Sequence, residues 1–229
     1  MRTLSVVIPI KDECANLRPL HESLRRALEP LCAVGDGRSP RLTNYEILLV
    51  DDGSIDGSFA VLQELARADP RVKVIRLRRN FGQTPALRAG IDAATGDVLV
   101  TMDGDLQNDP ADIPLLLDKL EEGHDAVFGL RANRQDHFLI RKLPSFIGNW
   151  LIRRVTGVHV RDMGCTLRAL RRDLAEALPL YGELHRFVPV LAQMHGAKIA
   201  QIPVRHHARV AGKTKYGLTR TVRVLLDLI

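Results

Sequence analysis

Three acidic clusters in this sequence carry residue types suited to cation and nucleotide chemistry: Lys11-Asp12-Glu13, Asp51-Asp52-Gly53-Ser54 and Asp103-Gly104-Asp105. Each lies at the end of a short apolar run. Asp103 and Asp105 are spaced to reach one cation, and without a counterion their repulsion is costly. Hard carboxylate oxygens favour Mg2+ or Mn2+, bound together with substrate phosphates. A D-x-D by itself is a weak signal, because an acidic turn produces it too. The second pair, Asp51-Asp52, changes the balance: carboxylates at a strand end can accept hydrogen bonds from a base or ribose.

The elements that must position these clusters are legible over residues 1–130. Apolar, β-branched runs predict strands at 4–10, 45–53, 72–77, 97–105 and 125–130. Helical patterns lie between them at 13–31, up to Ala68 with Ser54 or Asp56 as its cap, at 85–95 and at 110–122. The stretch 33–44 has loop chemistry. Alternating strands and helices with near-continuous apolar strands predict an α/β fold, a mostly parallel sheet covered on both faces. In such sheets ligands sit beyond the carboxyl ends of the strands, where all three clusters fall.

After residue 130 the rhythm breaks. Strands are expected near 165–170 and 197–208, helices near 171–179 and 185–195, and a basic glycine-flanked loop at 212–217. His206 and His207 are consecutive on the last strand, so they point to opposite faces, which disfavours a two-histidine metal site. There is no internal repeat and no clear linker.

Composition narrows the class. The 229 residues are 45% apolar and 26% charged, a globular mix. Three widely spaced cysteines, Cys14, Cys32 and Cys165, suit neither a disulfide framework nor a zinc site, and point to a reducing compartment. The first apolar run is too short for a secretory signal, and no stretch approaches the roughly 18 apolar residues of a membrane span. The chain stops inside the apolar pattern VRVLLDLI, which suggests a piece of something longer. Net charge is +6 but unevenly spread: residues 1–130 hold 15 Lys+Arg against 21 Asp+Glu, residues 131–229 hold 18 against 6. The first half is suited to holding cations and the second to meeting anions or an anionic surface, the alternative being two solvated faces.

Familiar nucleotide motifs do not match. The turn after the first strand, Pro9 to Glu13, has no glycine for a dinucleotide fingerprint. Gly212-Lys213-Thr214 would need a P-loop glycine at position 207, which is His207. An aspartyl-phosphate phosphatase would want a hydroxyl residue after Asp105, where Leu106 and Gln107 stand.

The ordered segments SVVIPIKDE, EILLVDDGSIDGS, RNFGQTPALRAGIDAATGD and TMDGDLQNDP resemble the family 2 glycosyltransferases with the GT-A fold. RANRQD, RDMGCTLRAL and VRHHARVAGKTKYG resemble the polyprenyl-phosphate branch, especially its bacterial aminoarabinose and glucose transferases, with the dolichol-phosphate mannosyltransferases as kin. The likeness covers about residues 4–227. It implies one GT-A domain over 1–229, with 1–130 as the nucleotide-sugar half and 131–229 as an acceptor and membrane-side half.

The resemblance also assigns roles. Pro9, Glu13, Asp51 and Asp52 match positions holding base and ribose; Asp103, Asp105 and Gln107 match the metal and diphosphate site. Gly104 stands where a small residue, often Ala, is usual, and Lys11 and Asp12 stand where Tyr or Phe and Asn are common. Arg131 follows the fifth strand, where it could bind a phosphate. Arg161, Asp162 and Arg168 match a motif near the acceptor site, the bland alternative for Asp162 being a capped turn paired with Arg161. Arg209, Lys213 and Lys215 match a mobile basic loop, or else form a solvated charge run. The catalytic set so implied is Asp105, Asp162, Arg131, Lys213 and Lys215; the acceptor-phosphate set is Arg161, Arg168, Arg209 and Lys213.

The stretch 138–157 combines Phe138, Leu143, Phe146 and Trp150 with Arg141, Lys142, Arg153 and Arg154, which suits interfacial helices on a membrane. An ordinary core helix with a basic outer face is the competing reading. The expected reaction is inverting, Mg2+- or Mn2+-dependent transfer from a nucleotide sugar, UDP-linked first and GDP-mannose second, to a polyprenyl (undecaprenyl) phosphate. It is expected on the cytoplasmic face of the inner membrane, with the chain peripheral or anchored by C-terminal helices beyond it. An anionic membrane surface is the expected partner and nucleic acid is not; a homo-oligomer is left open. Rival readings are a transferase acting on a polysaccharide or protein, and a non-catalytic nucleotide-sugar binder.

Overall fold

A computed structural model of the chain describes residues 2–33, 41–131 and 160–208. Seven strands form one sheet in the order β3-β2-β1-β4-β6-β5-β7. They are β1 (Arg2–Ile10), β2 (Leu42–Asp51), β3 (Val72–Arg76), β4 (Val98–Thr101), β5 (Ala126–Arg131), β6 (Arg168–Arg171) and β7 (Ile199–Val204). The pairs β1/β2, β2/β3, β1/β4 and β5/β7 are parallel. Only β6 runs against its neighbours, wedged between β4 and β5.

Among the described residues six α-helices cover the sheet: α1 (Leu17–Cys32), α2 (Ser58–Ala68), α3 (Gln83–Ala93), α4 (Ile113–Glu121), α5 (Arg172–Ala177) and α6 (Val188–Met194). Strand alternation divides the core between the two faces. Leu4, Val6 and Ile8 of β1 join Leu20 and Leu24 of α1, Leu62 of α2 and Leu116 of α4 in one cluster. Val7 of β1 turns the other way and joins Leu87 of α3, Ala175 of α5 and Ala192 of α6. In α1 the buried Leu17, Leu20, Leu24 and Leu28 recur at the spacing of one helical face.

Several boundaries differ from the sequence reading. The fourth strand stops at Thr101 rather than 105, because Asp103, Gly104 and Asp105 leave the ladder for a turn. The last strand stops at Val204, so His206 and His207 lie beyond it; His206 forms an isolated antiparallel bridge with Asn108. Helix α3 begins at Gln83, two residues early, because Gly82 adopts φ +101° and turns the chain into the helix. Residues 138–157 and 209–229, with Trp150, Arg209, Lys213 and Lys215, lie outside the described residues.

Candidate active site

Strands β1, β2 and β3 step outward to one side, and β4 lies on the other side of β1. The order therefore reverses between β1 and β4, and at such a switch point ligands bind beyond the carboxyl ends of the strands. The three acidic clusters meet there.

The loops after β1 and β2 are stapled together. Lys11 Nζ donates to the Gly53 carbonyl at 2.6 Å, Asp12 N to Ser54 Oγ at 2.9 Å and Glu13 N to Ser58 Oγ at 3.0 Å. In return Ile55 N donates to Asp12 Oδ1 at 2.8 Å. Lys11 thus works as a hydrogen-bond strap where the resembled family commonly has an aromatic residue. Gly53 is required by geometry: its φ is +67°, and a Cβ there would sit 2.6 Å from the Arg79 carbonyl carbon.

The four expected nucleotide residues of this wall have different surroundings. Pro9 is half-buried on β1. Glu13 is buried and accepts from Asn16 Nδ2 at 2.6 Å. Asp51 is fully buried; its Oδ1 accepts from Ser54 N at 2.9 Å. Its Oδ2 has no hydrogen-bond partner among the described residues and lies 3.7 Å from Arg76 Nε. A buried carboxylate oxygen left in that condition is a ready acceptor for a ligand N–H or O–H. Asp52 is spent differently: its two oxygens take the amides of Phe81 and Gly82 at 2.7 and 2.9 Å. It clamps the chain entering α3, and burial pushes its carboxyl up despite those two bonds.

The turn after β4 holds Asp103 and Asp105. Asp103 Oδ1 accepts from Gln83 Nε2 at 2.7 Å. Burial, then the neighbouring Asp105 charge, push Asp103 up to about 6; the Thr166 hydroxyl and the guanidinium groups of Arg168 and Arg131 work the other way. Asp105 is buried and accepts from Gln107 N at 3.2 Å. Between the two, a Cβ on Gly104 would sit 2.5 Å from Ile10 Cδ1, so the end of an isoleucine fills the place of the methyl that an alanine would add. Leu106 follows at φ +62°, a left-handed conformation costly for a branched side chain and typical of a constrained functional turn. Gln107 Nε2 donates to the His207 carbonyl at 3.3 Å and His207 N to the Gln107 carbonyl at 2.8 Å. The chain after β7 is therefore tied to this turn, and Arg205 strengthens the tie by gripping Asp112 through Nε and Nη2 at 2.9 and 2.7 Å.

The donor set, two carboxylates with one amide nearby, suits Mg2+ or Mn2+ shared with a ligand's phosphates. Among the described residues no group of three or more His, Cys, Asp or Glu gathers as a cage.

Arg131 and Asp162 come together as a pair. Arg131 donates to Asp162 through Nε at 2.7 Å and Nη2 at 2.8 Å, a bidentate fork with both side chains largely buried. Asp162 also accepts from Gly164 N at 3.1 Å, so it does cap a turn, with Arg131 and not Arg161 as its ion-pair partner. Arg161 is exposed and its backbone N donates to Gln201. Arg168 is 3% exposed, and its guanidinium donates to the carbonyls of Cys165, Met163 and His185. It opens β6 opposite Thr101 and Phe128. Its charge favours the ionised form of Asp103. Burial, then Asp162, push the Cys165 thiol up to about 11, which leaves it protonated and inert.

Gln83, Thr166 and the buried Thr84–His185 bond, Oγ1 to Nδ1 at 2.7 Å, were not singled out from the sequence. The available signal was the polar Gln83-Thr84 pair opening a helix at the carboxyl edge of the sheet.

The Glycosyl transferase family 2 model matches residues 5–178. A dodecaprenyl-phosphate galacturonate synthase from Rhizobium johnstonii is 42% identical over 99% of this chain and 65% of its own length. An undecaprenyl-phosphate 4-deoxy-4-formamido-L-arabinose transferase from Klebsiella pneumoniae is 40% identical over 100% of this chain and 67% of its own. The chain thus spans about two thirds of the length of these curated relatives. Among solved structures, glucosyl-3-phosphoglycerate synthase from Mycobacterium tuberculosis, in complex with Mn2+, UDP and glucosyl-3-phosphoglycerate, superposes with a TM-score of 0.70 at 21% identity, covering 99% of this chain and 78% of that one. A Pyrobaculum calidifontis mannosyltransferase in complex with GDP-Man and Mn2+ gives 0.68 at 18% identity, covering 99% and 62%. At such identities the structural likeness establishes the GT-A fold and nothing finer.

Proposed function

This chain belongs to the family 2 glycosyl transferases, and on that premise we propose that it transfers a sugar from a nucleotide sugar to a polyprenyl phosphate. The carrying observation is the Asp103-Gly104-Asp105 turn at the crevice where the strand order reverses, in a chain alike from end to end to relatives named for polyprenyl-phosphate transfer. UDP-linked sugars are the first choice of donor and GDP-mannose the second.

Asp51, through Oδ2, accepts from the base or ribose, with Pro9 and Glu13 beside it. Asp52 acts on the donor indirectly, by holding the 81–82 backbone in place. Asp103 and Asp105, with Gln107, would hold Mg2+ or Mn2+, whose charge would offset that developing on the leaving diphosphate. The nucleophile is an acceptor phosphate oxygen, already anionic at neutral pH, so no strong general base is required. That oxygen bonds to the anomeric carbon as the bond to the diphosphate oxygen breaks; the nucleoside diphosphate departs, and a single in-line attack inverts the centre. Arg161, Arg209, Lys213 and Lys215 are assigned to bringing the two anions together. Arg168 and the Arg131–Asp162 pair support the crevice floor.

Among the described residues no helix is long and apolar enough to cross a membrane. Action at the cytoplasmic membrane face rests on the acceptor's chemistry and on the basic, apolar stretch 138–157.

The test is a panel of labelled nucleotide sugars incubated with undecaprenyl phosphate and Mn2+. Label should move into the organic-solvent fraction. Label that stays water-soluble on a polysaccharide or protein, or no turnover with any donor, would overturn the reading.

A further inference from the structure

The metal-side carboxylate of Asp103 does not stand free at the crevice. Its Oδ1 accepts from Gln83 Nε2 at 2.7 Å, across twenty residues of sequence. Nearby, the Thr166 hydroxyl accepts from Asn108 Nδ2 at 2.8 Å. Gln83 is itself held on both sides. Just before it, Asp52 takes the amides of Phe81 and Gly82. Just after it, Thr84 Oγ1 meets His185 Nδ1 at 2.7 Å, and the His185 carbonyl accepts from Arg168 Nη1 at 2.7 Å. The amide therefore reaches Asp103 from a helix terminus fixed to both halves of the sheet.

We propose that Gln83 is a positioning residue that holds the Asp103 carboxylate in the orientation needed to receive a divalent cation. The residue type fits the task. A lysine there would neutralise the carboxylate and compete with the cation, and a glutamate would repel it. A primary amide donates a hydrogen bond without adding charge. Partners of this kind fix ligand geometry, and their loss typically weakens metal binding by about 10- to 100-fold. The proposal rests on the reading of Asp103 and Asp105 as the metal and diphosphate site.

The experiment uses the whole chain and reads free Mn2+ by electron paramagnetic resonance, with and without saturating UDP. Gln83→Met keeps the length of the side chain and deletes the donor; Gln83→Ala removes it altogether. Both should weaken UDP-dependent Mn2+ binding by about tenfold, while metal-free UDP binding and the melting temperature stay at wild-type values. Asp103→Asn is the reference for loss of the ligand itself. If wild type and Asp103→Asn differ but both Gln83 variants bind Mn2+ within about twofold of wild type, the Gln83 proposal is wrong and the site reading stands. If wild type shows no UDP-dependent Mn2+ binding, the site reading fails and takes the proposal with it. A loss of affinity that follows a falling melting temperature in both variants also overturns it, since it marks Gln83 as a fold-supporting contact.

Discussion

Several residues that match motif positions are committed to neighbours within the described chain. Arg131 and Asp162 satisfy each other, Arg168 satisfies carbonyls, and Asp52 satisfies amides. Asp103 accepts from Gln83 but also bears the repulsion of the Asp105 charge, which is what a cation relieves. Asp105→Asn should abolish divalent-dependent turnover and leave the melting temperature near wild type, because it removes a charge and no packing volume. Unchanged Mn2+ dependence of turnover would contradict the assignment. The buried fork behaves in the opposite way. Arg131→Met leaves the Asp162 carboxylate without its main partner and should cost about 3 kcal/mol in a urea melt. Arg131→Met combined with Asp162→Leu should recover most of that loss. Were Asp162 to act directly on substrate, the double variant would regain stability while turnover stayed lost.

At the scale of elements, β1, β2, β3 and the chain between α3 and β4 are joined by a polar knot at the amino-terminal end of the sheet. Glu46 of β2 accepts from Ser5 Oγ at 2.5 Å and from Thr95 N and Oγ1 at 2.6 and 2.9 Å, and it pairs with Lys73 Nζ at 2.5 Å. Burial pushes Glu46 up, but these bonds outweigh burial and hold it at about 2. Its folded value lies below its unfolded one, so the stabilisation is complete above the ordinary carboxylate range and fades as pH falls through about 2. Allowing for the exposure of Lys73, Glu46→Gln should cost about 2 to 3 kcal/mol near pH 7. The gap from wild type should narrow steadily as the pH is lowered towards 2. A gap independent of pH in denaturant melts would show that the knot acts through shape rather than charge.

Over the whole molecule the excess positive charge of the second half is not spread evenly. Of the 18 Lys+Arg in 131–229, ten lie at 132–159 and 209–229, against two acids there. In the described part of that half, Arg131, Arg171, Arg172, Arg186 and Arg205 all pair with carboxylates. The cations available for an anionic surface therefore concentrate in those two stretches. Each basic residue near such a surface contributes roughly 1 kcal/mol. The chain should sediment with anionic vesicles, less with neutral ones, and less again as salt rises. Trp150 is the only tryptophan, so its emission reports on the 138–157 stretch, and a blue shift with anionic vesicles is expected. Emission already blue, shielded from quencher and unmoved by vesicles would place Trp150 in a core.

The apolar runs and their spacing were enough to determine the alternation of strands and helices, the mostly parallel sheet and the gathering of three acidic clusters at one edge, because hydrophobic periodicity is local and ligand crevices follow from strand direction. The ordered motifs were enough to indicate the family. Tertiary structure decided what no window of sequence contains. It placed β6 antiparallel between β4 and β5, and so set Arg168 opposite Thr101, where its charge reaches Asp103. It paired Asp162 with Arg131, 31 residues away, although Arg161 is its neighbour in the chain. It turned Asp52 onto the backbone before α3 and brought Gln83 to Asp103. The physical reason is the same each time: a side chain's partner depends on which strand ends fold side by side, and that depends on the order of strands in the sheet.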